Sequence, residues 1–167
     1  MQFLKRGLGR LTDFSGRDPR RLFWPYAGVL FLLLFVVMGG VNSTFMARAM
    51  TSMQTNAPPN FSLMVGAMGV EMLVFVGLLA AAVARRLHDT GRTAYWGLAP
   101  LPFLAFGIIG FSIVVRSFDK PFSGLGTLFV AIFFNNVLYL AALVTLIVLL
   151  ARPTRPEANR YGEPPAA

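Results

Sequence analysis

The sequence predicts an all-α membrane protein with four transmembrane helices and both termini cytoplasmic. Three observations carry that expectation. Hydrophobic residues make up 56% of the 167-residue chain and charged residues 13%, whereas about 25% of an ordinary soluble domain is charged. The apolar residues gather in four runs, residues 22–41, 61–84, 95–115 and 125–151. Crossing a hydrocarbon core of about 30 Å takes roughly 20 such residues in a helix. The basic residues, finally, are strongly asymmetric. Of the 15 lysines and arginines, 12 fall in the N-terminal segment, between the second and third runs, or after the fourth. Arg48, Arg116 and Lys120 alone lie on the other side. Basic residues near helix ends stay cytoplasmic, which puts both termini inside. The chain thus divides into a basic N-terminal segment (1–21), a four-helix transmembrane domain (22–151) and a C-terminal tail (152–167).

The N-terminal segment sets Leu4, Leu8, Leu11 and Phe14 among basic residues. That spacing fits a short amphipathic helix on the lipid headgroups; a disordered basic tail is the alternative. In the first run, 21 mostly polar or basic residues precede an apolar stretch too long for a signal peptide, so an uncleaved helix is expected. Phe23, Trp24 and Tyr26 form an expected aromatic belt, and Pro25 is tolerated where first-turn amides lack partners. Residues 42–60 read as the outer loop, with Pro58-Pro59 stopping any helix from running back into it. The third run carries Pro100, Pro102, Gly107 and Gly110, predicting a kink or an irregular turn. The fourth has no proline or glycine from Thr127 to Ala151 and exceeds the bilayer core, so it should tilt or project. The Pro-rich tail is expected to be extended. Gly77 with Ala81, and Ala80 with Ala84, are small-residue pairs that permit close helix approach.

Chemistry concentrates in the octapeptide Arg85-Arg86-Leu87-His88-Asp89-Thr90-Gly91-Arg92. A histidine titrates near neutrality and can act as acid or base when a carboxylate orients it. Neighbouring residues on a helix point about 100° apart, however, so Asp89 is poorly placed to orient His88. It faces Arg85 and Arg86 instead, at i−4 and i−3, while Gly91 suits the left-handed residue that ends a helix. Three readings follow: a capped, charge-paired turn, a site for headgroup phosphates, or a catalytic pair. Trp96, beside Tyr95, reads as an interface anchor.

Glu71 lies near the middle of the second run, where a charged residue is expensive and raises a functional hypothesis. Asn135 and Asn136 lie at a comparable depth in the fourth run, with Tyr139 on the same face. Together they suggest a proton or polar-solute site between those helices; an interhelical hydrogen bond that fixes packing is the alternative. There are no cysteines, which excludes disulfides and thiolate chemistry. One histidine offers no metal-ligand spacing, and no catalytic residue or cofactor is expected. No nucleic-acid-binding motif accompanies the net charge of +8, so nucleic acid is not an expected partner.

Three patches carry a resemblance. They are Phe14-Ser15-Gly16-Arg17 followed by Arg20 and Phe23-Trp24; the octapeptide with Trp96; and Asn159-Arg160-Tyr161-Gly162 with Pro165. In this order around four helices they resemble the family known as domain of unknown function 805, although Thr93-Ala94-Tyr95 replaces its usual Ser-Gly and first tryptophan. The resemblance implies a bacterial inner-membrane protein and supplies no activity. The residues themselves predict a non-enzymatic component whose cytoplasmic face binds anionic lipid headgroups, a partner protein or a second copy. Arg17, Arg20, Arg85, Arg86, His88, Asp89 and Arg92 are the expected binding residues, anchored by Trp24 and Trp96. The other expectation is a small oligomeric transporter or channel using Glu71, Asn135 and Asn136.

Overall fold

A computed structural model describes residues 2–55, 61–117 and 123–164. Pro58-Pro59, Lys120 and Pro165 lie outside them. The described chain runs through α1 (Gln2–Gly9), α2 (Arg20–Gln54), α3 (Phe61–Asp89), a 3-10 turn (Ala94–Leu98), α4 (Leu101–Arg116) and α5 (Leu125–Ala151). Four of its segments are helices long and apolar enough to cross a membrane: α2, α3, the 3-10 turn continued by α4, and α5.

The helices depart from expectation where polar side chains or prolines act on the backbone. Residues 42–54, expected in the outer loop, continue α2 instead. Their hydroxyls and amide fold back onto the helix's own carbonyls: Asn42 donates to Met38 at 2.8 Å, Ser43 to Gly40 at 2.9 Å and Thr44 to Val41 at 2.8 Å. Such i−3 and i−4 bonds satisfy polar groups without leaving the helix. Because α2 begins at Arg20, Pro25 sits inside the helix and not in its first turn. In the third span the prolines make the irregular turn expected of them, with a 3-10 turn before Pro100 and α4 after it.

The core lies at the end of the bundle that carries both termini. Phe23, Tyr26, Ala27 and Leu30 of α2 pack with Ala82 and Leu87 of α3 and with Leu146, Leu149 and Leu150 of α5. Phe23 and Tyr26 therefore leave the expected aromatic belt. Three residues apart, they share the face turned to α3, and the Tyr26 hydroxyl donates to the Leu78 carbonyl at 2.8 Å. Trp24 stays at the surface, 38% exposed. α1 is helical as its spacing suggested, but Phe3 and Leu4 pack on the protein core, while Leu8 is exposed. Gly7 makes that contact possible, since a Cβ there would overlap the Tyr26 ring. Of the small-residue pairs, Ala81 and Ala84 are buried, whereas a Cβ on Gly77 would meet nothing within 4 Å. Toward mid-span the bundle presents apolar side chains outward, Phe35 and Leu73 among them, as helices solvated by lipid do.

Candidate functional site

The N-terminal segment, the octapeptide and the C-terminal tail meet in one cap at the end of the bundle that carries both termini. Its frame is the end of α3. The Arg92 amide donates to the Leu87 carbonyl at 2.9 Å and the Gly91 amide to His88 at 3.0 Å, with Gly91 left-handed at φ 75°. This pair of bonds around a left-handed glycine is a Schellman motif, the termination expected for Gly91. It turns the chain sharply and leaves Arg85, Arg86 and Asp89 facing inward, each with 0% exposure.

Two aspartates hold the cap's charges. Asp89 accepts from Arg17 Nε at 3.2 Å, from Arg86 Nη1 and from the Thr154 hydroxyl at 2.7 Å. Asp18 accepts from Arg85 Nε at 2.6 Å and Arg6 Nε at 2.9 Å. Asp89 thus meets Arg86, one of the two partners expected for it, while Arg85 turns to Asp18. Burying charges carries a large desolvation cost unless the remaining donors are satisfied too. Backbone carbonyls meet that need. Arg17 reaches Glu157 O at 2.9 Å and Gly162 O at 3.2 Å, and Arg85 reaches Arg10 O at 2.9 Å and also Asp13 O. Arg86 donates to Leu150 O at 2.9 Å and to Arg152 O, so its guanidinium satisfies carbonyls that the last turn of α5 leaves without helical donors. Among the described residues, Arg85 Nη2 is a buried donor with no partner. At the cap's rim, Asp13 is half-buried. The Ser15 hydroxyl, followed by Arg10 and the Ser15 amide, holds its carboxyl well below the usual carboxylate range.

The C-terminal tail is folded back and not extended. Asn159 and Gly162 pair their backbones in a tight turn, and Tyr161 lies flat on His88, ring centroids 3.7 Å apart and planes 8° from parallel. His88 Nδ1 is 3.3 Å from Gly16 O, and its own carbonyl accepts from Asn159 Nδ2 at 3.1 Å. The histidine therefore joins all three segments by contacts that hold structure together, and Asp89 does not orient it.

Several expected binding residues are consequently turned inward. Arg17, Arg85 and Arg86 were expected to hold external phosphates, but their burial and internal acceptors place them inside the cap. Arg20 is exposed and Arg92 half-buried; Trp24 and Trp96 are both partly exposed. Asp18 and Thr154 are the site residues that sequence reasoning missed. A signal existed for Asp18: the three terminal-end segments carry twelve basic residues and only five acidic ones, so each carboxylate there has several claimants.

The intramembrane polar residues do not share one site. Asn135 is buried and donates to the Phe103 carbonyl of α4 at 2.9 Å, an interhelical bond that fixes packing. Asn136 and Tyr139 line a cavity among the helices, and Glu71 is not part of its wall. Glu71 is half-buried on α3, and its Oε2 is without a partner among the described residues. No group of three or more metal-ligating side chains is present among the described residues.

Residues 11–163 match the model of a family described as "Protein of unknown function (DUF805)", a span that takes in all four long helices and the octapeptide, with the N-terminal segment from residue 11 and the tail to residue 163. No curated protein and no solved structure matches the chain.

Proposed function

We propose that this chain, which belongs to the DUF805 family of proteins of unknown function, is a non-enzymatic inner-membrane component of bacteria whose cytoplasmic cap engages anionic lipid headgroups. One observation carries the reading: the cap sorts its arginines into two sets. Arg17, Arg85 and Arg86 are spent inside on Asp18, Asp89 and backbone carbonyls. Arg20, Arg92, Arg152, Arg155 and Arg160 belong to none of the ion pairs among the described residues. The buried set builds a rigid platform; the outer set supplies its charge. With twelve basic residues against five acidic at this end, the positive-inside rule puts both termini in the cytoplasm, where the leaflet is anionic. Trp24 and Trp96, both partly exposed, would serve as the cap's interface anchors. A partner protein with an acidic face, or a second copy, would meet the same surface.

The test follows the division. Each arginine near an anionic surface contributes about 1 kcal/mol, so replacing Arg20, Arg92 and Arg152 together with glutamine should sharply deplete anionic lipid. Native mass spectrometry of protein taken from nanodiscs of mixed neutral and anionic lipid reads the effect directly. An unchanged anionic complement in a folded triple variant would rule the reading out. A small oligomeric transporter or channel is the second reading, favoured by the unpartnered Glu71 Oε2. Its mark would be proton flux into liposomes that disappears in Glu71→Gln.

A further inference from the structure

A cavity of about 290 Å³ opens among the four long helices, well away from the cap. Met38 of α2 and Met68 and Met72 of α3 form one side, and Phe103 and Phe111 of α4 another. Gly69 and Gly107 thin the walls. A Cβ at Gly69 would meet no atom within 4 Å, so the space beside it is open. Of its lining residues, Asn136 and Tyr139 alone carry polar side chains, and three residues apart on α5 they lie on one face. Asn136 stands eleven residues into α5, about 16 Å along its axis, deep in the hydrocarbon region. Neither side chain is hydrogen-bonded to the protein among the described residues. Hydrocarbon supplies no partner for an amide or a phenol, and an unpartnered amide there is costly.

We propose that this cavity is a binding site for a membrane-soluble ligand: an apolar ring or chain that presents a carbonyl or hydroxyl oxygen to Asn136 and Tyr139. Both side chains can donate and accept, so a carbonyl receives two donors and a hydroxyl finds a donor and an acceptor. The three methionines are soft, adaptable side chains that make favourable contacts with aromatic rings. Apolar walls with a few convergent polar groups are the usual make-up of a small-molecule site. Isoprenoid quinones and long-chain alcohols both carry this chemistry into the bilayer. The inference is independent of the lipid-binding cap.

Binding of three probes to the full chain in nanodiscs tests it: a decyl-substituted benzoquinone, decanol and decane. The two oxygen-bearing probes should bind saturably and at least about fivefold tighter than decane, the worth of one net hydrogen bond. Quinone tighter than decanol assigns the ring-borne carbonyl as the natural chemistry, and the reverse order assigns the alcohol. Asn136→Leu, close in volume, should weaken the oxygen-bearing probes about fivefold to tenfold and leave decane unchanged. Gly69→Phe should fill the space and abolish binding of every probe. If Gly69→Phe does not fold, Asn136→Leu decides alone. Equal binding of the three probes, no saturable binding, or an Asn136→Leu variant that binds like wild type would overturn the proposal.

Discussion

Replacing Asp89 by asparagine should release the C-terminal tail from the cap. The substitution keeps the side chain's shape and one acceptor oxygen, and removes the charge that faces Arg17 and Arg86. Those guanidiniums are 1% and 0% exposed, opposite a carboxylate at 0%, so solvent cannot take over the neutralising role. Removing one partner of a buried pair typically costs about 3–5 kcal/mol. The lower end suits a cap at the bundle's rim, and 3 kcal/mol is a little over two powers of ten in an equilibrium constant. Several of the contacts that tie residues 154–162 down meet at Asp89 or at its partner Arg17. Thr154 donates to the Asp89 carboxylate, the Arg155 amide to its carbonyl at 3.2 Å, and Arg17 grips Glu157 and Gly162. Proteolysis follows the population of the open form when opening and closing are fast. Tryptic cleavage after Arg160, the one arginine of this segment not followed by proline, should therefore accelerate by roughly 100-fold in Asp89→Asn. Asp13→Asn, which breaks a half-buried pair at the cap's rim, should stay within about fivefold. A cleavage rate in Asp89→Asn within threefold of wild type would refute the argument that buried charge pairing holds the cap.

Three further outcomes are expected. Gly91→Ala forces a left-handed residue onto a Cβ and brings that Cβ to 2.7 Å from Arg155 Nε; it should cost at least about 1–2 kcal/mol, visible as a lowered thermal midpoint. Tyr161→Ala loses the stack on His88, worth about 0.5–1.5 kcal/mol, and should raise tail cleavage several-fold, whereas Tyr161→Phe should match wild type. Asn135→Leu removes the bond to Phe103 and should lower stability by about 0.6–1.7 kcal/mol, read from unfolding of the detergent-solubilised protein.

The membrane architecture was legible because it is a property of composition along the chain. Runs of some twenty apolar residues have one way to satisfy their backbones in lipid, so each of the four long helices stands where an apolar run stands. Gly91 was legible for a similar local reason, since its glycine follows the last helical turn. The continuation of α2 through Asn42, Ser43 and Thr44 was not. Those residues read as a loop by polarity, and their back-bonding onto the helix appears only when side-chain rotamers are known. The binding surface was misread in part for the same kind of reason. Arg85 and Arg86 look like surface charges until Asp18, 67 residues from Arg85, is seen beside them.

Charge count and apolar run length, summed along the chain, determined the four spans, the basic end and the place of its tight turn. Tertiary structure alone decided which arginines are spent inside the cap and which remain at its surface. It also decided that Asn135 ties α5 to α4 while Asn136 and Tyr139 face a cavity. The physical reason is range. Hydropathy and helix termination act within a few residues, but the energy of a buried charge depends on partners that only folding brings within about 3 Å.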